Sequence, residues 1–108
     1  MTGPVVVLTA LGAPPDAQRI ARALVEERLA ACVNVVPGVV SVYRWKGVVE
    51  EEDELLLVIK TIGERVEQLK ARLLQLHPYE LPEVVVIPIG GGHGAYLAWL
   101  AQQVQPPL

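Results

Sequence analysis

Cysteine is almost missing from this sequence. Cys32 is the only one, which excludes an intrachain disulfide and any closed zinc site built from the cysteines of one chain. Long apolar runs are missing too. None approaches the roughly 20 residues that span a bilayer, and Met1 to Thr9 lacks the basic segment, apolar stretch and small-residue cleavage site of a secretory leader. A cytoplasmic protein with no membrane partner is expected. Nor is there a Lys/Arg stripe: the formal charge is -3 and the isoelectric point near 5.3, which argues against nucleic acid and anionic lipid as partners. Phenylalanine is absent and Asn, Met and Cys are scarce beside nine prolines, a composition that resembles heat-adapted proteins. No Ser/His/Asp or Cys/His arrangement, catalytic carboxylate pair or phosphate loop stands out, so no enzymatic activity is expected. Gly90 to Ala95 formally spells G-x-G-x-x-A. It follows the last expected strand, however, and the sequence ends before an acidic ribose ligand some 20 residues later, so a dinucleotide fingerprint is rejected.

What is present is apolar residue: 52% of 108 positions, enough for one core and one domain over residues 1–108. Val5 to Thr9 reads as a buried strand between Gly3-Pro4 and the Gly12 to Pro15 breaker cluster. From Asp16, the residues Ala17, Ile20, Ala21, Leu24, Val25 and Leu29 recur at helical spacing, with Asp16 suited to the positive end of the helix dipole. Ala30 to Thr61 then forms two long β-type runs around a tight turn at Lys46-Gly47, with a bulge or kink expected at Pro37-Gly38. Arms of about 15 residues at about 3.3 Å each reach on the order of 50 Å, whereas a domain of this size has a radius of gyration near 13 Å. The outer hairpin must project. Carrying Val39, Val40, Val42, Tyr43 and Trp45, it needs cover from another subunit. Leu55 to Ile59, apolar without a break, reads as a central strand covered on both faces. Gly63-Glu64 opens a second helix with Val66, Leu69, Leu73 and Leu76 inward, ended by His77-Pro78. Leu81 to Ile89 reads as a last strand that Pro82 and Pro88 confine to an edge, and Tyr96, Leu97, Leu100 and Val104 mark a terminal helix before a fraying Gln105 to Leu108. The order β-α-β-β-α-β plus a helix is the split βαβ, or ferredoxin-like, plan of an α+β protein.

Few side chains carry obvious chemistry. Cys32, between Ala31 and Val33, is a soft ligand or nucleophile by type but a small buried hydrophobe by context. His77 suits Cu(II), Zn(II) or proton transfer, with Glu80 and Glu83 near in sequence as oxygen donors; helix capping is its plainer role. Glu50 to Glu54 could attract divalent cations, but alternation sends adjacent carboxylates to opposite faces, and a solvated, self-repelling stretch is its plainer reading. Lys60 shares a strand face with Glu54, Leu56 and Val58, where an enclosed ammonium needs a partner. Tyr43, Trp45 and Tyr79 suit an intersubunit pocket or simple interface packing.

Five strings in register, LVEERLAACVNVVPGV from Leu24, SVYRWKG from Ser41, DELLLVIKT from Asp53, HPYELPE from His77 and YLAWL from Tyr96, resemble the CutA divalent-cation tolerance family. The resemblance implies a homotrimer whose hairpins and sheet edges pack between protomers, much as in the PII signal proteins. It also implies copper or another divalent cation as the ligand. Copper binding described for the family uses a cysteine in the first strand and two adjacent histidines before the Pro-Tyr step; those positions here are Thr9, Leu76 and His77. Only His77 is retained. Three functions follow as expectations: a metal-responsive trimer, a PII-like module taking a small anion near Lys60, Arg44 and Tyr79, or a trimeric scaffold that anchors a partner.

Overall fold

A computed structural model describes residues 2–106. Four strands and three α-helices follow one another as β1 (Pro4–Leu11), α1 (Pro14–Glu26), β2 (Cys32–Trp45), β3 (Val48–Ile62), a 3-10 turn (Gly63–Arg65), α2 (Val66–Leu76), β4 (Val85–Pro88) and α3 (Gly94–Gln103). The strands form one antiparallel sheet in the order β2-β3-β1-β4.

Helix α1 begins two residues before the expected Asp16, because Pro14 and Pro15 open it instead of preceding it. A proline in the first turn gives up no intrahelical bond, and its fixed φ is already helical. At the other end the helix stops at Glu26, and Arg28 turns the chain at φ 60°. Leu29, expected to continue the helical stripe, instead donates its N–H to Leu24 O at 2.9 Å and drops into the core from the turn.

Strand β3 is central, and alternation gives the sheet two unlike faces. Val5, Val7, Leu57 and Ile59 are fully buried beneath Ile20 and Leu24 of α1 and Leu69 and Leu73 of α2. On the opposite face Leu56 and Val58 are only half-buried, and Val85 and Ile87 of β4 are exposed. There α3 covers one end alone, where Leu100 and Val104 pack with Ala31 and Ile62.

Past the last β1–β3 pair, Leu11 with Leu55, β2 and β3 continue as a two-stranded ribbon from Val39–Glu54 to Trp45–Val48. Its register shifts between Val36 and Val39, where Gly38 has φ 77°, which is the expected bulge. At the tip Lys46 and Gly47 have φ 50° and 82°, the two left-handed residues of a turn whose twist matches that of the strands. Apolar side chains on this ribbon lie bare, Val42 at 64% exposure and Val49 at 60%.

The last strand is shorter than expected. Only Val85 to Pro88 pairs with β1, because Pro82 has no N–H for a ladder and the chain from His77 to Val84 is drawn across the end of β1 instead. The fraying expected at Gln105 to Leu108 falls partly on Pro107 and Leu108, which lie outside the described residues.

Candidate functional site

Where β1 ends, the segment after α2 takes its place beside the ribbon. His77 is the hinge of this arrangement. It caps α2 with its N–H on Leu73 O and is itself buried, its ring bonded on both sides. Nε2 lies 3.0 Å from Ala10 O, and Nδ1 accepts the Tyr79 N–H at 3.1 Å. An amide N–H only donates and a carbonyl only accepts, so these partners fix the neutral tautomer with the proton on Nε2. Neither nitrogen is left over for a ligand in this arrangement. Among the described residues no three His, Cys, Asp or Glu side chains are grouped to hold a metal ion.

The turn that His77 fixes delivers Tyr79 to the root of the ribbon. The phenol stands 4.8 Å edge-on from the imidazole, centroid to centroid, and donates to Glu54 Oε2 at 2.6 Å. Burial, then the hydrogen bond and charge of Glu54, push its pKa well above that of an ordinary tyrosine. Glu54 departs from the solvated run expected over residues 50–54, being only 9% exposed. Lying on the Leu56 and Val58 side of β3, it is the first residue of the acidic run to reach the body of the sheet.

Between this segment and the ribbon lies an open groove of about 820 Å³. The ribbon supplies Tyr43, Arg44, Trp45, Glu52 and Glu54, and the other wall is the Pro78 to Leu81 turn with Glu83. Tyr43 is pushed up in pKa by burial first and then by the charges of Glu52, Glu54 and Glu50. Arg44 donates to Gly47 O at 3.3 Å, which ties its guanidinium toward the turn.

Six of the residues expected from sequence, Tyr43, Arg44, Trp45, Tyr79, Glu80 and Glu83, thus line one groove. Cys32 and Lys60 do not join them. They sit opposite each other at the far end of the sheet, where Cys32 Sγ is 3.9 Å from Asn34 Oδ1 and Lys60 Nζ lies 5.9 Å from the Tyr96 ring centroid. Lys60 thus meets an aromatic ring, and it makes no salt bridge among the described residues. Thr9, at the family's cysteine position, is fully buried, and its Oγ1 has no partner among the described residues. Glu52 and Glu54, members of the acidic run read as solvated, also line the groove, and the signal for Glu54 was its place on the half-buried face of β3.

Residues 5–103 match the family described as CutA1 divalent ion tolerance protein. The divalent-cation tolerance protein CutA of Thermus thermophilus is 53% identical over 97 residues, 90% of this chain and 94% of its own length. A solved CutA1 structure from that organism superposes with a TM-score of 0.92 at 50% identity, covering 94% of this chain and 99% of the other. A PII-like CutA from Nostoc sp. PCC 7120 gives 0.86 at 42% identity over 97% and 98% of the two chains. A CutA from Archaeoglobus fulgidus, described as periplasmic, gives 0.91 at 30% over 94% and 99%. The chain spans about half the length of the mouse and human relatives it matches. No helix among the described residues is long and apolar enough to cross a membrane. With the match running over nearly all of the sheet, the ribbon and the groove walls, the chain belongs to the CutA1 divalent ion tolerance family.

Proposed function

We propose that this chain serves divalent-cation tolerance as a cytoplasmic, non-enzymatic homotrimer of the ferredoxin-like plan that binds a small ligand in the groove between ribbon and turn. The groove is the observation that carries this reading: three aromatic side chains and several charged ones converge on a space of about 820 Å³, large enough for a metabolite. The PII-like description of the Nostoc relative is consistent with it. Assembly is supported by the half-covered sheet face, the two free edges at β2 and β4, and the bare apolar ribbon. Three copies is what the family resemblance implies. A thermal-shift screen of small metabolites and metal ions tests the reading: a saturable rise in melting temperature that Trp45→Ala abolishes supports it. A chain whose melting temperature moves with none of them overturns it in favour of the scaffold.

Direct copper handling is the second reading, favoured by the retention of His77. It requires the ring to give up one of its two hydrogen bonds, to Ala10 O or from Tyr79 N. Calorimetric titration with Cu(II), native chain beside His77→Ala, separates the two: saturable heat lost in the variant identifies a site at His77, and its absence leaves the groove.

A further inference from the structure

We infer that the groove takes a small organic cation, an alkylammonium or guanidinium compound, held by the Glu54 carboxylate among the rings of Tyr43, Trp45 and Tyr79. The inference rests on the groove reading above and gives it a ligand class, one of opposite charge to the anion first expected beside Lys60 and Arg44.

At 9% exposure Glu54 lines the groove, yet the one hydrogen bond it receives among the described residues is the neutral Tyr79 hydroxyl on Oε2. No Lys, Arg or His among the described residues forms a salt bridge with it. A carboxylate removed from water without a counter-charge is costly, and a cation in the groove supplies what the chain does not.

The other walls carry the same sign. Glu52, Glu80 and Glu83 line the groove with Glu54, against the single guanidinium of Arg44, which the turn carbonyl of Gly47 engages. An anion entering here meets four carboxylates. Lys60, the other cation that the sequence offers for an anion, stands outside the lining beside Tyr96.

A bare metal ion fits less well. Hard cations need several oxygens converging within about 2.0–2.6 Å of one point, and no three acidic or imidazole groups among the described residues are so grouped. An organic cation has the opposite needs. Its charge pairs with one carboxylate while its methylene groups and positive face lie against aromatic rings, which this groove has on both walls.

The test uses the full chain carrying Trp99→Phe, so that Trp45 is the one indole left of the two. Titration with spermidine at constant ionic strength is expected to change its fluorescence saturably, with calorimetry giving one site per chain. Glu54→Gln keeps an acceptor for Tyr79 but removes the charge, and is expected to weaken binding roughly tenfold or more. Glu83→Gln, an exposed change that leaves the core alone, is expected to weaken it less. Magnesium at matched ionic strength is expected not to reproduce the change. Absence of saturation, equal response to magnesium, or affinity untouched by both substitutions overturns the proposal. Saturable binding of citrate in place of spermidine overturns the ligand class while leaving the groove reading standing. Failure of both, together with a thermal-shift screen in which nothing binds, removes the two together.

Discussion

Tyr79 donates its hydroxyl to Glu54 Oε2 across 2.6 Å and thereby fastens the turn after α2 to the root of the ribbon. One member follows a helix and the other lies on the central strand, so the bond sets the width of the groove between them. Tyr79→Phe removes the only donor that reaches this buried carboxylate among the described residues. The expected loss is about 1–2 kcal/mol, the size of a hydrogen bond to a charged acceptor partly shared with solvent. Chemical denaturation checks it, with Glu54→Gln in a double-mutant cycle expected to show non-additivity because the two share one contact.

Burial first, and then the same bond, makes alkaline stability depend on Tyr79. Its phenol titrates above the ordinary 10.0 in the folded chain, so folding favours the protonated form. That contribution is complete below pH 10 and is lost as pH rises from there toward the folded value. Denaturation midpoints measured across the alkaline range are expected to fall more steeply for the native chain than for Tyr79→Phe. Parallel curves contradict this.

His77 holds the turn by bonding Ala10 O and Tyr79 N at once. His77→Ala leaves both backbone groups without their ring partner and opens space beside Tyr79, at an expected cost of about 2–4 kcal/mol. Calorimetric unfolding is the check. Loss of the turn is also expected to release Tyr79, so its phenol in this variant should titrate nearer to the usual range.

Thr9 is the reverse case. Its hydroxyl is fully buried with no partner among the described residues, so Thr9→Val replaces an unsatisfied polar atom by a methyl of similar size. A gain of about 1 kcal/mol is expected, read as a higher melting temperature.

Gly38 sits at φ 77° in the bulge, a conformation that costs a side chain roughly 1 kcal/mol. Gly38→Ala is expected to lower stability by about that amount although nothing lies within 4 Å of the added methyl. An unchanged denaturation midpoint contradicts it.

Much of this was readable because period and turn chemistry are local. Short unbroken apolar runs marked β1 and the inner part of β3, helical stripes marked α1 and α2, and Lys46-Gly47 marked the hairpin tip, each from neighbours in sequence. Pro14 and Pro15 misled because proline breaks a helix in its interior but opens one at its start. Leu81 to Val84 resembles a strand by composition, yet its path is set by contacts about 25 and 70 residues away, Glu54 for Tyr79 and Ala10 for His77. The groove was partly visible in its aromatics. Glu54 was hidden inside an acidic run, and the separation of Lys60 from Arg44 depends on strand length past the bulge.

In the proposed trimer the bare ribbon and the half-covered sheet face are buried between copies, with the groove beside them as the binding site. Multi-angle light scattering at micromolar concentration tests it most directly. A mass three times the 11.7 kDa of one chain is expected. A single-chain mass that persists as concentration rises contradicts it.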